Sequence, residues 1–207
     1  MLLVGLTGGI GAGKSTVSVL LAEHGAVIVD ADQVARDLQS AGSPLLDRMA
    51  DRFGDYIIRS DGSLDRAAVA AIVFGDSDEA KRALSDLNGI VHPAMQDEIR
   101  RQIEQQSDTD HVVVLDFPLL GENPRDDIAA TIVVDVDTEV AVNRLVEFRH
   151  MDEPDARNRI SSQISREERL AKATHVIDNS RGLDELRDQV DALWNELVAL
   201  REASRAS

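Results

Sequence analysis

Eight residues near the start of the chain, Gly8-Gly9-Ile10-Gly11-Ala12-Gly13-Lys14-Ser15, fit the pattern G-x-x-x-x-G-K-[ST]. An apolar run, Leu2 to Leu6, precedes them, and a stretch with helical spacing follows at once. This context commits the beginning of the chain to a strand, a tight turn and a helix. The glycines let the main chain curl until successive N–H groups face inward, and the helix N-terminus behind them adds partial positive charge. Such a nest receives a phosphate. The candidate nucleotide-binding residues are therefore Gly8, Gly11, Ala12, Gly13, Lys14, Ser15 and Thr16. Lys14 is suited to reach the β- and γ-phosphates of ATP, Ser15 to offer a hydroxyl to Mg²⁺, and Thr16 to bond near the α-phosphate. A dinucleotide reading of Gly8, Gly11 and Gly13 fails on spacing and leaves Lys14-Ser15 without a role.

Five short apolar runs rich in β-branched residues read as buried parallel strands: Leu2 to Leu6, Ala26 to Asp30, His111 to Asp116, Thr131 to Val136 and Thr174 to Asp178. Both faces of each run are apolar, as a sheet covered by helices on both sides requires, so the fold class is α/β. Helices are expected over Lys14 to His24, over Glu139 to Arg149 and along the C-terminal stretch. In the last, Leu183, Leu186, Val190, Leu193, Leu197 and Leu200 recur every three or four residues and mark one packed face.

Between the second and third strands lie about eighty residues, far beyond the roughly 10 to 12 that a crossover needs. An inserted lobe explains the excess. Pro44, the Asp61-Gly62 turn, Gly75 and the His92-Pro93 step divide it into helical pieces, among them Asp65 to Val73, Glu79 to Leu87 and Ala94 to Gln106. A second insert, Met151 to Lys172, is charged, helical by propensity, and set where a lid would close over a site.

Charge narrows the partners. With 22 Lys plus Arg against 38 Asp plus Glu, the formal charge of −16 repels nucleic acid and anionic membrane, so an anionic substrate needs a local basic site. Zero cysteines exclude disulfides, thiolate metal sites and cysteine nucleophiles. The apolar start lacks a basic n-region, and no stretch approaches the roughly 20 apolar residues of a membrane span. These features predict a cytoplasmic protein with no nucleic-acid or membrane partner; a monomer or weak homo-oligomer is the expectation for its assembly, which none of these features sets.

Carboxylates at strand ends are the next candidates, because ligands bind at the carboxyl edge of open α/β sheets. Transfer of a phosphoryl group to an alcohol calls for an anion able to orient the hydroxyl and accept its proton. Asp32 is the choice for that base, whereas Asp30 fits a helix N-cap equally well. Asp116 closes Val112-Val113-Val114-Leu115-Asp116, a hydrophobic strand ending in an acid, and is the candidate Mg²⁺ ligand beside Ser15; a capping role is the alternative. Arg144, Arg149, Arg157, Arg159, Arg166 and Arg169 follow the fourth strand and offer guanidinium groups for phosphate. Any one of them fits an ordinary surface ion pair as well. Arg144 stands out for its closeness to the strand. His92 suits a substrate contact or a helix cap equally, and the scattered histidines lack metal-ligand spacing. A GTPase reading needs an Asn-Lys-x-Asp element, and Asn123-Pro124-Arg125-Asp126 lacks the lysine.

Together these segments resemble the dephospho-CoA kinase family. The resemblance is carried by Gly5 to Thr16, Asp30-Ala31-Asp32, Phe53-Gly54, Asp61 to Arg66, Val73-Phe74, His92-Pro93, Leu115 to Leu120 with Glu122, Arg144-Leu145, Arg149, Gln163 and Val176 to Asn179. It implies transfer of the ATP γ-phosphate to the 3′-hydroxyl of dephospho-CoA, with ATP and Mg²⁺ as cofactors. It also implies a P-loop NTPase fold of the nucleoside-monophosphate-kinase type. The single kinase domain would comprise a core over 1–32, 107–149 and 173–207, an inserted coenzyme-binding lobe over about 33–106 and a lid over about 150–172. By this carry-over Asp32 is the base, Lys14 and Arg144 stabilise the transferring phosphate, and Asp32, His92, Leu119 and Arg149 are candidate substrate contacts. Two departures from the family pattern appear. Gly121 stands where an aromatic residue often precedes the Glu, and Asn88-Gly89 replaces Glu-Ala, where glycine costs a helix about 1 kcal/mol relative to alanine.

Overall fold

The computed structural model describes residues 1–122 and 125–206, so Asn123 and Pro124 of the Asn-Pro-Arg-Asp stretch lie outside the described residues. Contacts divide the chain into two compact units, Met1–Val29 with Gln105–Ser207, and Asp30–Glu104.

The first unit holds the sheet. Its strands are β1 (Leu2–Gly8), β2 (Val27–Asp30), β3 (Val112–Asp116), β4 (Ala130–Asp135) and β5 (His175–Asp178), in the order β2-β3-β1-β4-β5. β1 is central and parallel to both neighbours, from Leu2↔Val112 to Leu6↔Asp116 on one side and from Val4↔Ala130 to Gly8↔Val134 on the other. All five runs read from sequence are strands, with ends displaced by one or two residues; β1 continues to Gly8 because its pairing with β4 does.

One face of the sheet, with Leu2, Val4, Leu6, Val112, Val114 and Ile132, packs on α1 (Lys14–Glu23) and α9 (Leu183–Ala206). From α1 come Val17, Leu20 and Leu21, and from α9 Leu186, Val190, Leu193 and Leu197, all buried. Burial of each such aliphatic chain contributes about 1.5–3 kcal/mol. Leu183, included in the predicted stripe, is 51% exposed, because it opens the helix. Residues of the opposite face, Leu3, Val113, Leu115 and Val133, are buried as well, which accounts for runs without polar alternation. The unit is completed by α6 (Thr138–Arg149), α7 (Glu153–Ser161) and α8 (Arg166–Leu170).

The second unit comprises α2 (Ala31–Leu38), α3 (Pro44–Phe53), α4 (Arg66–Val73) and α5 (Asp78–Glu104) around Leu45, Leu46, Met49, Phe53, Ile57, Leu64, Val69, Val73 and Ala83. Local chemistry sets its boundaries. The Ser43 hydroxyl accepts from the N–H groups of Leu45 and Leu46 with Pro44 in the first turn, and Asp65 accepts from Ala67 and Ala68; such caps contribute about 1 kcal/mol each. Asp30 likewise caps α2 by accepting from Gln33 N–H, which decides between its two readings.

The expected break at His92-Pro93 is absent. A single helix, α5, runs from Asp78 to Glu104 through Pro93, and His92 sits within it rather than at a start. Leu84, Leu87, Ile90, Val91 and Ala94 pack against one core from both sides of the proline, and this packing outweighs the lost N–H. Gly89, four residues earlier, is the residue whose carbonyl the proline ring meets. It is exposed, and a Cβ built there meets nothing within 4 Å. Gly89→Ala is therefore expected to raise the unfolding free energy by about 0.5–1 kcal/mol in urea titration, with an unchanged m-value.

Candidate active site

The register of β1, β3, β4 and β5 brings Gly8, Asp116, Asp135 and Asp178 to the carboxyl edge of the sheet. The loop between β1 and α1 emerges there. It closes on itself through Ala12 N–H to Gly9 O at 3.0 Å and Thr16 N–H to Gly13 O at 3.0 Å. Gly13 takes the N-cap position of α1 with φ 86° and ψ 25°, left-handed values that L side chains rarely adopt, and no side chain caps the helix. First-turn N–H groups are thus left for a ligand.

Side chains from distant elements hold this loop. Asn179, 8% exposed just past β5, donates from Nδ2 to Ala12 O at 2.8 Å, and its backbone N–H donates to Asp135 O at 2.9 Å. A Cβ on Gly13 would stand 2.2 Å from that Nδ2, so only glycine admits both the loop conformation and the asparagine. Arg144, on α6, donates from Nη2 to the Asn179 carbonyl at 2.8 Å, while its Nη1 is buried without a hydrogen-bond partner among the described residues. That Nη1 lies 3.9 Å from the Cβ position of Gly13. A buried guanidinium N–H without an acceptor costs about 1–3 kcal/mol, which an anion in the loop would relieve.

Lys14 and Asp116 form an ion pair, their side chains 17% and 4% exposed. Ser15 and Thr16 are exposed in the first turn of α1. The first unit therefore gathers Gly8 through Thr16, Asp116 and Arg144. Leu119, in a short 3-10 turn, is 47% exposed, and Arg149 is exposed at the end of α6. The second unit carries Asp32, exposed in the first turn of α2, and His92, exposed on α5.

Arginine assignments divide sharply. Arg157 lies 2.8 Å from Glu139 and 2.9 Å from Glu153, the ordinary surface pairing, and both partners hold its guanidinium firmly protonated. Arg166 makes a two-pronged contact with the carboxylate of Asp135 at 2.8 and 2.6 Å, which ties α8 to the end of β4. Gln163, between α7 and α8, accepts from the loop N–H of Ile10 at 3.0 Å. Near this junction a cavity of about 310 Å³ is lined by Gly9, Ile10, Ala12, Asp135, Gln163 and Arg166, among others. At Gly121, a Cβ would stand 2.7 Å from Cδ1 of Ile164, and its carbonyl accepts from Lys172, so here the position serves close packing of the α7–α8 segment.

Sequence reasoning gave no role to Asn179, Gln163 or Asp135, and offered Arg166 only as one of several arginines for phosphate, whereas it is paired with Asp135. Asn179 and Asp135 were within reach of it, since each ends or follows a strand at the ligand-binding edge. Gln163 and Arg166 carry no such positional mark.

The family model described as dephospho-CoA kinase matches residues 2–185. A dephospho-CoA kinase of Streptomyces avermitilis is 47% identical over 201 residues, covering 96% of this chain and 95% of its own. One from Corynebacterium glutamicum is 45% identical, covering 96% of this chain and 98% of its own. A crystal structure of a Thermus thermophilus protein superposes with a TM-score of 0.77 at 28% identity, covering 95% and 97% of the two chains. A phosphate loop on a central strand, an arginine with a buried Nη1 beside it and matches of this extent lead to one conclusion: the chain belongs to the dephospho-CoA kinase family.

Proposed function

We propose that the chain transfers the γ-phosphate of ATP to the 3′-hydroxyl of dephospho-CoA, giving CoA and ADP, the last step of coenzyme A biosynthesis. In this step the hydroxyl oxygen forms a bond to the γ-phosphorus, and the bond from that phosphorus to the β,γ-bridging oxygen breaks. The electron pair leaves with ADP, and the hydroxyl proton passes to the Asp32 carboxylate. The supporting observation is the buried Nη1 of Arg144, left without an acceptor beside Gly13 of the phosphate loop.

Each residue has a chemical task in this reading. Main-chain N–H groups of the Gly8 to Thr16 loop other than those of Ile10, Ala12 and Thr16, which have acceptors within the chain, orient the triphosphate, and Lys14 and Arg144 spread positive charge over the oxygens that gain charge during transfer. For Mg²⁺ the donors are hard oxygens, the exposed Ser15 hydroxyl and the Asp116 carboxylate. Among the described residues no cluster of three or more acidic or histidine side chains forms a dedicated cage. This donor set fits an ion that takes its other ligands from water and phosphate. When bound, the metal supplies neutralisation of the β- and γ-phosphate charge.

The second unit is the proposed coenzyme-binding lobe. Its groove of about 220 Å³, walled by Leu64, Val69, Val73, Phe74 and Leu87, offers apolar surface to the uncharged arm of the coenzyme. His92, Leu119 and Arg149 are the remaining proposed substrate contacts. We place the α7–α8 segment as the lid. A cytoplasmic monomer or weak homo-oligomer fits the strong negative charge, and no described helix is long and apolar enough to cross a membrane.

The test is ADP release over a panel of acceptors with Mg²⁺ and ATP. Dephospho-CoA is expected to be turned over with the highest kcat/KM, ahead of nucleoside monophosphates and sugar acids. Turnover of another acceptor without turnover of dephospho-CoA would contradict the reading.

A further inference from the structure

Apart from Arg144, spacing does not rank the arginines after β4, and the structure separates them. Arg157 is paired with Glu139 and Glu153, Arg166 with Asp135, and Arg149 and Arg159 are exposed to solvent. Arg169 differs from all four. It is half-buried on α8, and no carboxylate among the described residues lies within ion-pair distance of it. Its Nη2 donates to Ile164 O at 3.0 Å, and its Nη1 lies 3.0 Å from the point where a Cβ on Gly9 would stand. Glycine at position 9 is what lets the guanidinium reach the loop backbone.

We propose that Arg169 is a second catalytic arginine, donating its guanidinium to phosphate oxygens of the nucleotide at the Gly9 end of the loop. The inference rests on the phosphoryl-transfer reading above. Three observations carry it. A half-buried cation whose hydrogen-bond partner among the described residues is a carbonyl is held at a cost that an anionic ligand offsets. Burial also pushes the Arg169 guanidinium below its usual range, with Glu122 and Asp135 offsetting part of that effect. The segment bearing it is joined to the site through Gln163 on the Ile10 N–H and Arg166 on Asp135, which holds the fork beside the loop. A planar guanidinium makes two parallel bonds to a phosphate, which the ammonium of lysine does not.

The test uses Arg169→Ala and Arg169→Lys, with Arg157→Ala as a control expected to keep the parent turnover. With saturating ATP and dephospho-CoA, Arg169→Ala is expected to lower kcat roughly 10²-fold, the effect of losing one preorganised donor. Arg169→Lys should also lose at least about tenfold, since it keeps charge without the fork. Calorimetry should find ADP bound as tightly as by the parent and the preference for ATP over ADP reduced. Added guanidine hydrochloride at millimolar concentration should restore part of the turnover in Arg169→Ala alone. Turnover within twofold of the parent in both variants would overturn the proposal, as would an equal loss of ADP and ATP affinity, the mark of a purely structural role. If Arg169→Ala does not fold, the lysine variant decides by the same criteria. A parent that fails to turn over dephospho-CoA would count against the functional reading instead, and the ATP-over-ADP preference would then decide the role of Arg169.

Discussion

Lys14→Ala is expected to lower kcat/KM for ATP by roughly 10³-fold, with loss in both nucleotide affinity and turnover, because the ammonium acts on the ground-state phosphates and on the charge that develops in transfer. Lys14 donates to Asp116, whose side chain is 4% exposed. Removing a bond to a charged group of this kind costs about 1.5–3 kcal/mol, so the variant should unfold at lower urea while remaining folded at the start of the titration. Steady-state kinetics over a range of ATP concentrations, with circular dichroism of the same sample, separates the two effects. A variant with the parent kcat/KM for ATP would remove the loop from its assigned role.

Asp32→Asn should behave differently. The side chain is exposed in the first turn of α2, and no hydrogen bond or ion pair joins it to another described residue. The amide preserves shape and abolishes the anion, so kcat is expected to fall roughly 10²- to 10⁴-fold, the range for a positioned base. ATP affinity should not change, and stability should stay within about 0.5 kcal/mol of the parent. Single-turnover rates with calorimetric ATP binding check both points. Near-normal turnover would assign the proton to another acceptor.

What the sequence revealed depended on distance along the chain. The loop was legible because its chemistry is written in consecutive residues, Gly8 to Ser15, between an apolar strand and a helix. The Asp61-Gly62 turn was legible for the same reason. Pro93 misled, since its local effect is to break a helix, whereas the outcome was decided by Leu87, Ile90, Val91 and Ala94 packing into one core on both sides of it.

The supports of the site were illegible for a related reason. Gln163 meets Ile10 across 153 residues, and Asn179 meets Ala12 across 167. No local pattern encodes such contacts. Nor does spacing tell Arg169 from Arg157 and Arg166; their roles follow from which carboxylates the fold brings beside them. An arginine-rich stretch in sequence is an ambiguous signal that only burial and pairing resolve.

The ³¹P NMR spectrum of a reaction containing the protein, Mg²⁺, ATP and dephospho-CoA tests the central claim most directly. The account predicts a new 3′-phosphomonoester resonance of CoA, growing in step with ADP and absent when dephospho-CoA is omitted. ADP appearing with inorganic phosphate alone, while dephospho-CoA stays unmodified, would contradict it.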